Sequence, residues 1–286
     1  MNYRHVFHAG NHADVLKHVV LLALCDAMLA KPAPLFALDT HAGRGLYRLR
    51  SASAQRTGEA DAGIERLLAE APRDPSLMRL QKAVRACRAV HGADAYPGSP
   101  WLLAQALREQ DRIACCELQP EEAAALAGNF ERDRRVQVLA RDGYAAMRAL
   151  LPPRDGDTRL ARGLVLIDPP YETQLAEFDA SLAAIREGLA RFPQGVFALW
   201  YPIKLRRSLK PFQRRAADLP AKSALVAELL VRADDSPLRM NGSGLLVLNA
   251  PWKLDAALAP ALRALATALG EDAGGSSRLE WLRAPE

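Results

Sequence analysis

The chain has 286 residues, half of them hydrophobic and a quarter charged, and a net charge of +5. That is ordinary globular composition, and the length suits one large domain, or one domain with an insertion, able to build a core without disulfides. No run of about 18 apolar residues is present, which excludes a membrane span, and the four cysteines form no C-x-x-C pair, which argues against a zinc or disulfide framework. With no signal-peptide pattern at the N-terminus, a cytoplasmic protein with reduced thiols is expected. Only seven of the 38 basic residues are lysine. A genomic bias toward arginine codons and a use of the guanidinium fork on phosphate explain this equally well.

The first eighteen residues, MNYRHVFHAGNHADVLKH, hold four of the six histidines. VVLLALCDAMLA follows and reads as a buried helix. Candidate strands then come in order at 35–40 (LFALDT), 112–118 (RIACCEL), 136–143 (VQVLARDG), 163–171 (GLVLIDPPY), 195–202 (GVFALWYP), 224–231 (ALVAELLV) and 243–251 (SGLLVLNAP). Apolar residues on both parities of these runs predict strands covered on both faces. Helical segments at 120–132, 173–192 and 255–269 connect them. The pattern predicts an α/β, Rossmann-like, mostly parallel sheet of about seven strands with helices on both faces. No helix separates the last two runs, so they are expected to be antiparallel. Residues 50–97 carry helix-period segments and no convincing strand, and read as a small helical insertion after the first strand. The main domain is then 1–49 with 98–286.

Three acidic residues end successive strands. Asp39 leads into a loop with Gly43 and Gly45, whose glycines permit close backbone approach to a ligand. Glu117 stands where a carboxylate commonly accepts hydrogen bonds from ribose hydroxyls, although a helix N-terminal charge before PEEAAAL accounts for it too. Asp142 is placed to accept from an adenine amino group, with Gly143 letting the ring lie against the backbone. The fourth run ends in Asp168-Pro169-Pro170-Tyr171. Two successive prolines make a rigid turn with exposed carbonyls. An acidic side chain, the Pro169 carbonyl and the Tyr171 ring together suit a planar base bearing an exocyclic amine.

In this constellation the sequence resembles the class I S-adenosylmethionine-dependent methyltransferases of the amino-N type, and more narrowly the RlmJ family of bacterial 23S ribosomal RNA adenine-N6 methyltransferases. The matching segments are YRHVFHAGNHADVLKH, LDTHAGRGLY, RTGE, YPGSP, DPPYE, ALWYP and NAPWKL, the last with Ala250 where the family carries proline. The resemblance implies S-adenosyl-L-methionine as cofactor, with S-adenosyl-L-homocysteine as product. It implies that His18, His41, Ser99, Glu117, Asp142 and Gly143 line the cofactor site, joined by Lys17 and by Gly43 of the glycine loop. Asp168 is the implied catalytic residue, and Tyr3 the residue of the N-terminal tail that meets the substrate adenosine, with Pro169, Pro170 and Tyr171 completing the base site. Residues 1–18 then form a lid over cofactor and RNA, not a metal site: HAGNH lacks the glutamate of His-Glu-x-x-His.

The implied partner is 23S ribosomal RNA, free or in an early assembly intermediate, bound by a monomer. KLRRSLKPFQRR (204–215) and the insertion's Arg79, Lys82, Arg85 and Arg88 are the candidate RNA-binding groups, although a solvated helix face accounts for either cluster too. A DNA adenine methyltransferase and a catalytically idle RNA-binding or assembly factor are the competing readings.

Overall fold

The computed structural model describes residues 8–51, 58–171, 174–237, 240–271 and 274–285. Helix α1 (His12–Leu29) opens it, capped by Asn11, whose side chain accepts from the Ala13 and Asp14 amides. Most of its length is buried, Val15 to Cys25 on every side, as expected of a helix apolar all round. Strand β1 (Phe36–Asp39) follows, then β2 (Leu46–Arg48). Between β2 and β3 (Ala95–Pro97) lie a wide turn at Asp61–Glu65, α2 (Arg66–Ala69) and α3 (Pro75–His91). The chain continues through α4 (Ser99–Ala106), β4 (Arg112–Cys116), α5 (Pro120–Phe130), β5 (Val136–Leu139) and α6 (Gly143–Leu150). A short hairpin, β6 (Arg154–Asp155) and β7 (Thr158–Arg159), precedes β8 (Gly163–Ile167), α7 (Gln174–Arg191) and β9 (Val196–Ile203). The remainder is α8 (Lys210–Ala217), β10 (Ala224–Leu230), β11 (Gly242–Leu248), α9 (Leu254–Leu269) and β12 (Ser276–Arg283).

The main sheet has eight strands in the order β12-β10-β11-β9-β8-β1-β4-β5. β5, β4, β1, β8 and β9 run parallel, while β11 is antiparallel to both β9 and β10. Side chains alternate between two cores: Ala37, Cys115, Leu164 and Leu166 pack with α1, α4 and α9, whereas Leu38, Cys116, Val165 and Ile167 pack with α6, α7 and α8. This is the expected Rossmann-like α/β architecture, a mostly parallel sheet with helices on both faces. The chain leaves β1 for β4 and β5 on one side and returns to β8 on the other, so the carboxyl ends of β1 and β8 flank the switch point where such sheets bind ligands.

Two details add to the expectation. The sheet has an eighth strand, β12, paired antiparallel to β10 at the edge. Residues 50–97 are not without a strand, because Ala95–Pro97 pairs antiparallel with Leu46–Arg48. That ribbon brings the two ends of the helical segment together and returns the chain beside the glycine loop, where the Gly98 amide donates to the Gly45 carbonyl at 2.9 Å. Among the described residues no helix is long and apolar enough to cross a membrane.

Candidate active site

A cavity of about 500 Å³ opens at the carboxyl edge of the sheet, within the range of about 300–1,000 Å³ typical of small-molecule and cofactor sites. Its walls include Lys17 from α1, His41 and Gly43 after β1, Ser99 at the start of α4, Glu117 after β4, Asp142 and Gly143 after β5, and Asp168 and Pro170 after β8. Residues more than a hundred positions apart converge because parallel strands all end at one edge.

The loop after β1 is held from three directions. The Thr40 amide donates to the Leu166 carbonyl and the Ala42 amide to that of Cys116. The Gly43 amide donates to Glu117 Oε2 at 2.9 Å. Gly43 has φ +59, and a Cβ there would stand 2.1 Å from the Tyr47 hydroxyl, so only glycine fits. Arg44 is clamped on Glu122 by hydrogen bonds of 2.8 and 2.6 Å. Glu117 Oε1 also accepts from the Gln119 amide at 2.7 Å. Each Glu117 oxygen still has a lone pair for a ligand hydroxyl.

Asp142 caps α6 through the Ala145 amide at 2.7 Å, which leaves its second oxygen for the cavity. Gly143 serves a purpose the sequence did not disclose. A Cβ on it would lie 2.1 Å from the Thr40 carbonyl oxygen, so the glycine lets α6 start directly against the end of β1. His41 bonds Thr40 Oγ1 through Nδ1 at 2.7 Å and meets the Tyr144 ring edge-on at 5.3 Å. Burial pushes its pKa down to about 4, so the ring is neutral.

At the deep end, Lys17 Nζ lies 2.5 Å from Asp168 Oδ2 and 2.7 Å from Asp14 Oδ1. Burial works against the Lys17 charge, but the Asp14 and Asp168 carboxylates outweigh it and raise its pKa, so the ammonium persists. Asp39 lies fully buried behind them and accepts from Ser99, with Oδ2 unpartnered among the described residues. Burial, partly offset by Ser99 and Lys17, raises its pKa to about 6.

Three expected residues sit elsewhere. His18 is fully buried, with Nδ1 bonded to the Tyr96 hydroxyl at 2.8 Å and its ring stacked on Tyr96 at 5.5 Å, and is not among the cavity-lining residues. Consecutive helical residues are rotated by about 100°, so with Lys17 facing the cavity His18 faces away. Tyr171 does not present a free stacking face. Its hydroxyl donates to the Trp200 carbonyl at 2.8 Å and its ring packs on Phe178 and Trp200. Its role is to fasten the Asp168-Pro169-Pro170 turn to β9. Pro169 is buried, and Pro170 alone of the two prolines lines the cavity. Tyr3 lies outside the described residues, as do 1–7 of the expected lid. Residues 12–18 of that lid are the opening turns of buried α1.

The sequence reading missed Asp14, Tyr144 and Glu177. The i,i+3 spacing of Asp14 and Lys17 was a usable signal. Tyr144 had none: its hydroxyl donates to Glu177 Oε1 at 2.6 Å and pairs with Ser181 Oγ at 2.8 Å, both on α7.

A family profile described as "Ribosomal RNA large subunit methyltransferase D, RlmJ" matches residues 32–283. The chain is 38% identical over 285 residues to a Haemophilus influenzae protein and 39% identical over 285 residues to an Escherichia coli protein. Both are named Ribosomal RNA large subunit methyltransferase J, and each alignment covers 99% of either chain. A crystal structure of a Legionella pneumophila protein superposes with a TM-score of 0.83 at 30% identity, covering 96% of this chain and 98% of that one. Residues 32–283 take in the glycine loop, all three acidic strand ends and the Asp168 turn, and the full-length alignments add α1 with Lys17; the chain belongs to the RlmJ family of large-subunit ribosomal RNA methyltransferases.

Proposed function

We propose that the protein methylates N6 of a specific adenosine in 23S ribosomal RNA, using S-adenosyl-L-methionine, as a cytoplasmic monomer acting on free RNA or an early assembly intermediate. One observation carries the reading. The Asp168 carboxylate, held by a buried ammonium, lines the same cavity as Glu117 and Asp142.

The residues present suit the cofactor. Glu117 and Asp142 each keep acceptor capacity for ribose hydroxyls and an adenine amine. The neutral His41, Gly43, Ser99 and Lys17 complete its surroundings, and the free oxygen of buried Asp39 adds negative potential for a cationic ligand. When bound, S-adenosyl-L-methionine supplies an electrophilic methyl group and leaves as S-adenosyl-L-homocysteine.

The chain's own residues prepare the nucleophile. An adenine amine is a weak nucleophile because its lone pair is delocalised into the ring. Asp168 accepts one N6–H with the oxygen not engaged by Lys17, and a backbone carbonyl of the Asp168-Pro169-Pro170 turn accepts the other. Together they favour a pyramidal nitrogen and stabilise the positive charge that grows on it, and the surplus N6 proton then leaves to Asp168 or to water. Lys17 fixes the Asp168 carboxylate in place, and Tyr171 fixes the turn, so that positioning contributes to the rate. The target base must be unpaired or flipped out, which costs a few kcal/mol in a duplex.

The test is to incubate the protein and labelled cofactor with unmodified 23S RNA, free and in early assembly intermediates, and with 16S RNA and genomic DNA, then digest to nucleosides. N6-methyladenosine from 23S RNA alone, lost with Asp168→Ala, is expected. Product on DNA, or none on any polymer despite cofactor binding, overturns the proposal.

A further inference from the structure

The basic segment after β9 is divided by the fold into two sets of side chains. Glu228, fully buried on β10, collects the inward set. Its carboxylate accepts from Arg206 Nε at 3.0 Å, Gln213 Nε2 at 2.9 Å and the Tyr201 hydroxyl at 3.0 Å, with Arg278 at 3.4 Å. Arg215 is turned to Asp179. The outward set is Lys204, Arg207, Lys210 and Arg214, all exposed and none in an ion pair with a described residue. The spacing of Arg207, Lys210 and Arg214 is i, i+3, i+7, which places them on one side of the helical segment, in a stripe about 10 Å long. Unpaired like charges at this spacing repel one another. A polyanion relieves that repulsion.

The stripe is locked in register with Asp168. The last paired residue of β8 is Ile167, opposite Leu199, yet β9 runs on to Ile203. Those four residues carry the chain about 13 Å past the end of β8 before Lys204 begins the segment. Aromatic contacts join the catalytic turn to α8: Tyr171 to Phe178 at 5.3 Å, Phe178 stacked on Phe212 at 4.4 Å, and Phe212 against Tyr201 at 5.1 Å. Tyr201 closes the circuit on Glu228. A strand of phosphates is the ligand such a fixed row of cations suits, because affinity then comes from counterion release without reading any base.

We infer that the stripe of Arg207, Lys210 and Arg214, continued back to Lys204, holds the RNA backbone flanking the base presented to Asp168. The inference rests on the function proposed above. It assigns substrate contact to this face and removes Arg206 and Arg215 from it, although all six cations lie in one basic run.

The experiment compares Arg207→Ala/Lys210→Ala/Arg214→Ala with a control of equal charge loss, Arg132→Ala/Arg134→Ala/Arg159→Ala. Of the control cations, Arg132 and Arg134 precede β5 at the far edge of the sheet, and Arg159 lies on the β6–β7 hairpin; all three are exposed. Binding to a 23S RNA transcript is titrated across salt concentrations, methyl transfer to the same transcript gives KM and kcat, and calorimetry gives cofactor affinity. In the stripe variant, the slope of log K against log salt flattens by about two. Its KM for RNA rises at least tenfold, while kcat and cofactor affinity stay near wild type, and the control keeps most of its slope and KM. A wild-type slope in the stripe variant, or an equal loss in the control, overturns the inference. A wild-type protein that makes no N6-methyladenosine on free 23S RNA or on early assembly intermediates refutes the proposed function instead. The binding titration needs no turnover and decides the face in either case.

Discussion

Asp39→Asn tests the electrostatics beneath the cavity. Asp39 has no solvent exposure, and burial is the largest influence on it. Ser99 and Lys17 pull its pKa down and Asp168 pushes it up, leaving it raised from 3.8 to about 6. The folded protein therefore holds this proton more tightly than the unfolded chain. Stability from Asp39 is fully present below pH 3.8 and is lost as the pH rises through about 6. A shift of roughly two units corresponds to about 3 kcal/mol, the cost of ionising the buried group. Asparagine has nearly the same shape and keeps an acceptor for Ser99 but has no proton to lose. Urea denaturation at a series of pH values should show the stability of Asp39→Asn relative to wild type increasing by up to about 3 kcal/mol between pH 4 and 7. A cationic ligand in the cavity offsets the same cost, so S-adenosyl-L-methionine should stabilise wild type more than the variant at pH 7.5. A stability difference that stays flat with pH would refute the reasoning.

Glu228→Ala leaves Arg206 and Arg278 without their buried carboxylate, and should cost about 3–5 kcal/mol in denaturant unfolding; a loss under about 1 kcal/mol would mean that the cluster does not hold the segment. Gly143→Ala forces a methyl group to within 2.1 Å of the Thr40 carbonyl, which should cost about 1–3 kcal/mol and weaken cofactor binding by calorimetry, since Thr40 lines the cavity. All four cysteines are buried, and burial pushes the thiols of Cys25, Cys87 and Cys116 up to about 12. A thiol reagent at pH 8 should label none in the folded protein and all four after unfolding, and rapid labelling of the native protein would contradict the packing.

How far the sequence could be read depended on whether the deciding interaction was local. The central strands were legible because VLID and its counterparts put apolar residues on both faces, which only a covered sheet tolerates. β12 escaped because SSRLEWLR, at the sheet edge, is only partly buried and places charges within its apolar pattern. Ala95–Pro97 is too short to show a period at all. The acidic strand ends were visible since each lies at or within three residues of the end of its strand, and the structure brings Glu117, Asp142 and Asp168 to one cavity. What holds Asp168 was not visible: Lys17 is 151 positions away, and the two meet only because α1 packs beside the carboxyl edge of β8. The histidine-rich start shows the opposite failure, a vivid local pattern with dispersed destinations. His8 goes to Glu59 at 3.0 Å, His12 is half-buried and neutral with its pKa lowered to about 4, and His18 goes to Tyr96. The helical rotation between Lys17 and His18 decided which of the two faces the cavity. A residue's membership in a motif gave its neighbourhood; the 100° turn per residue gave its role.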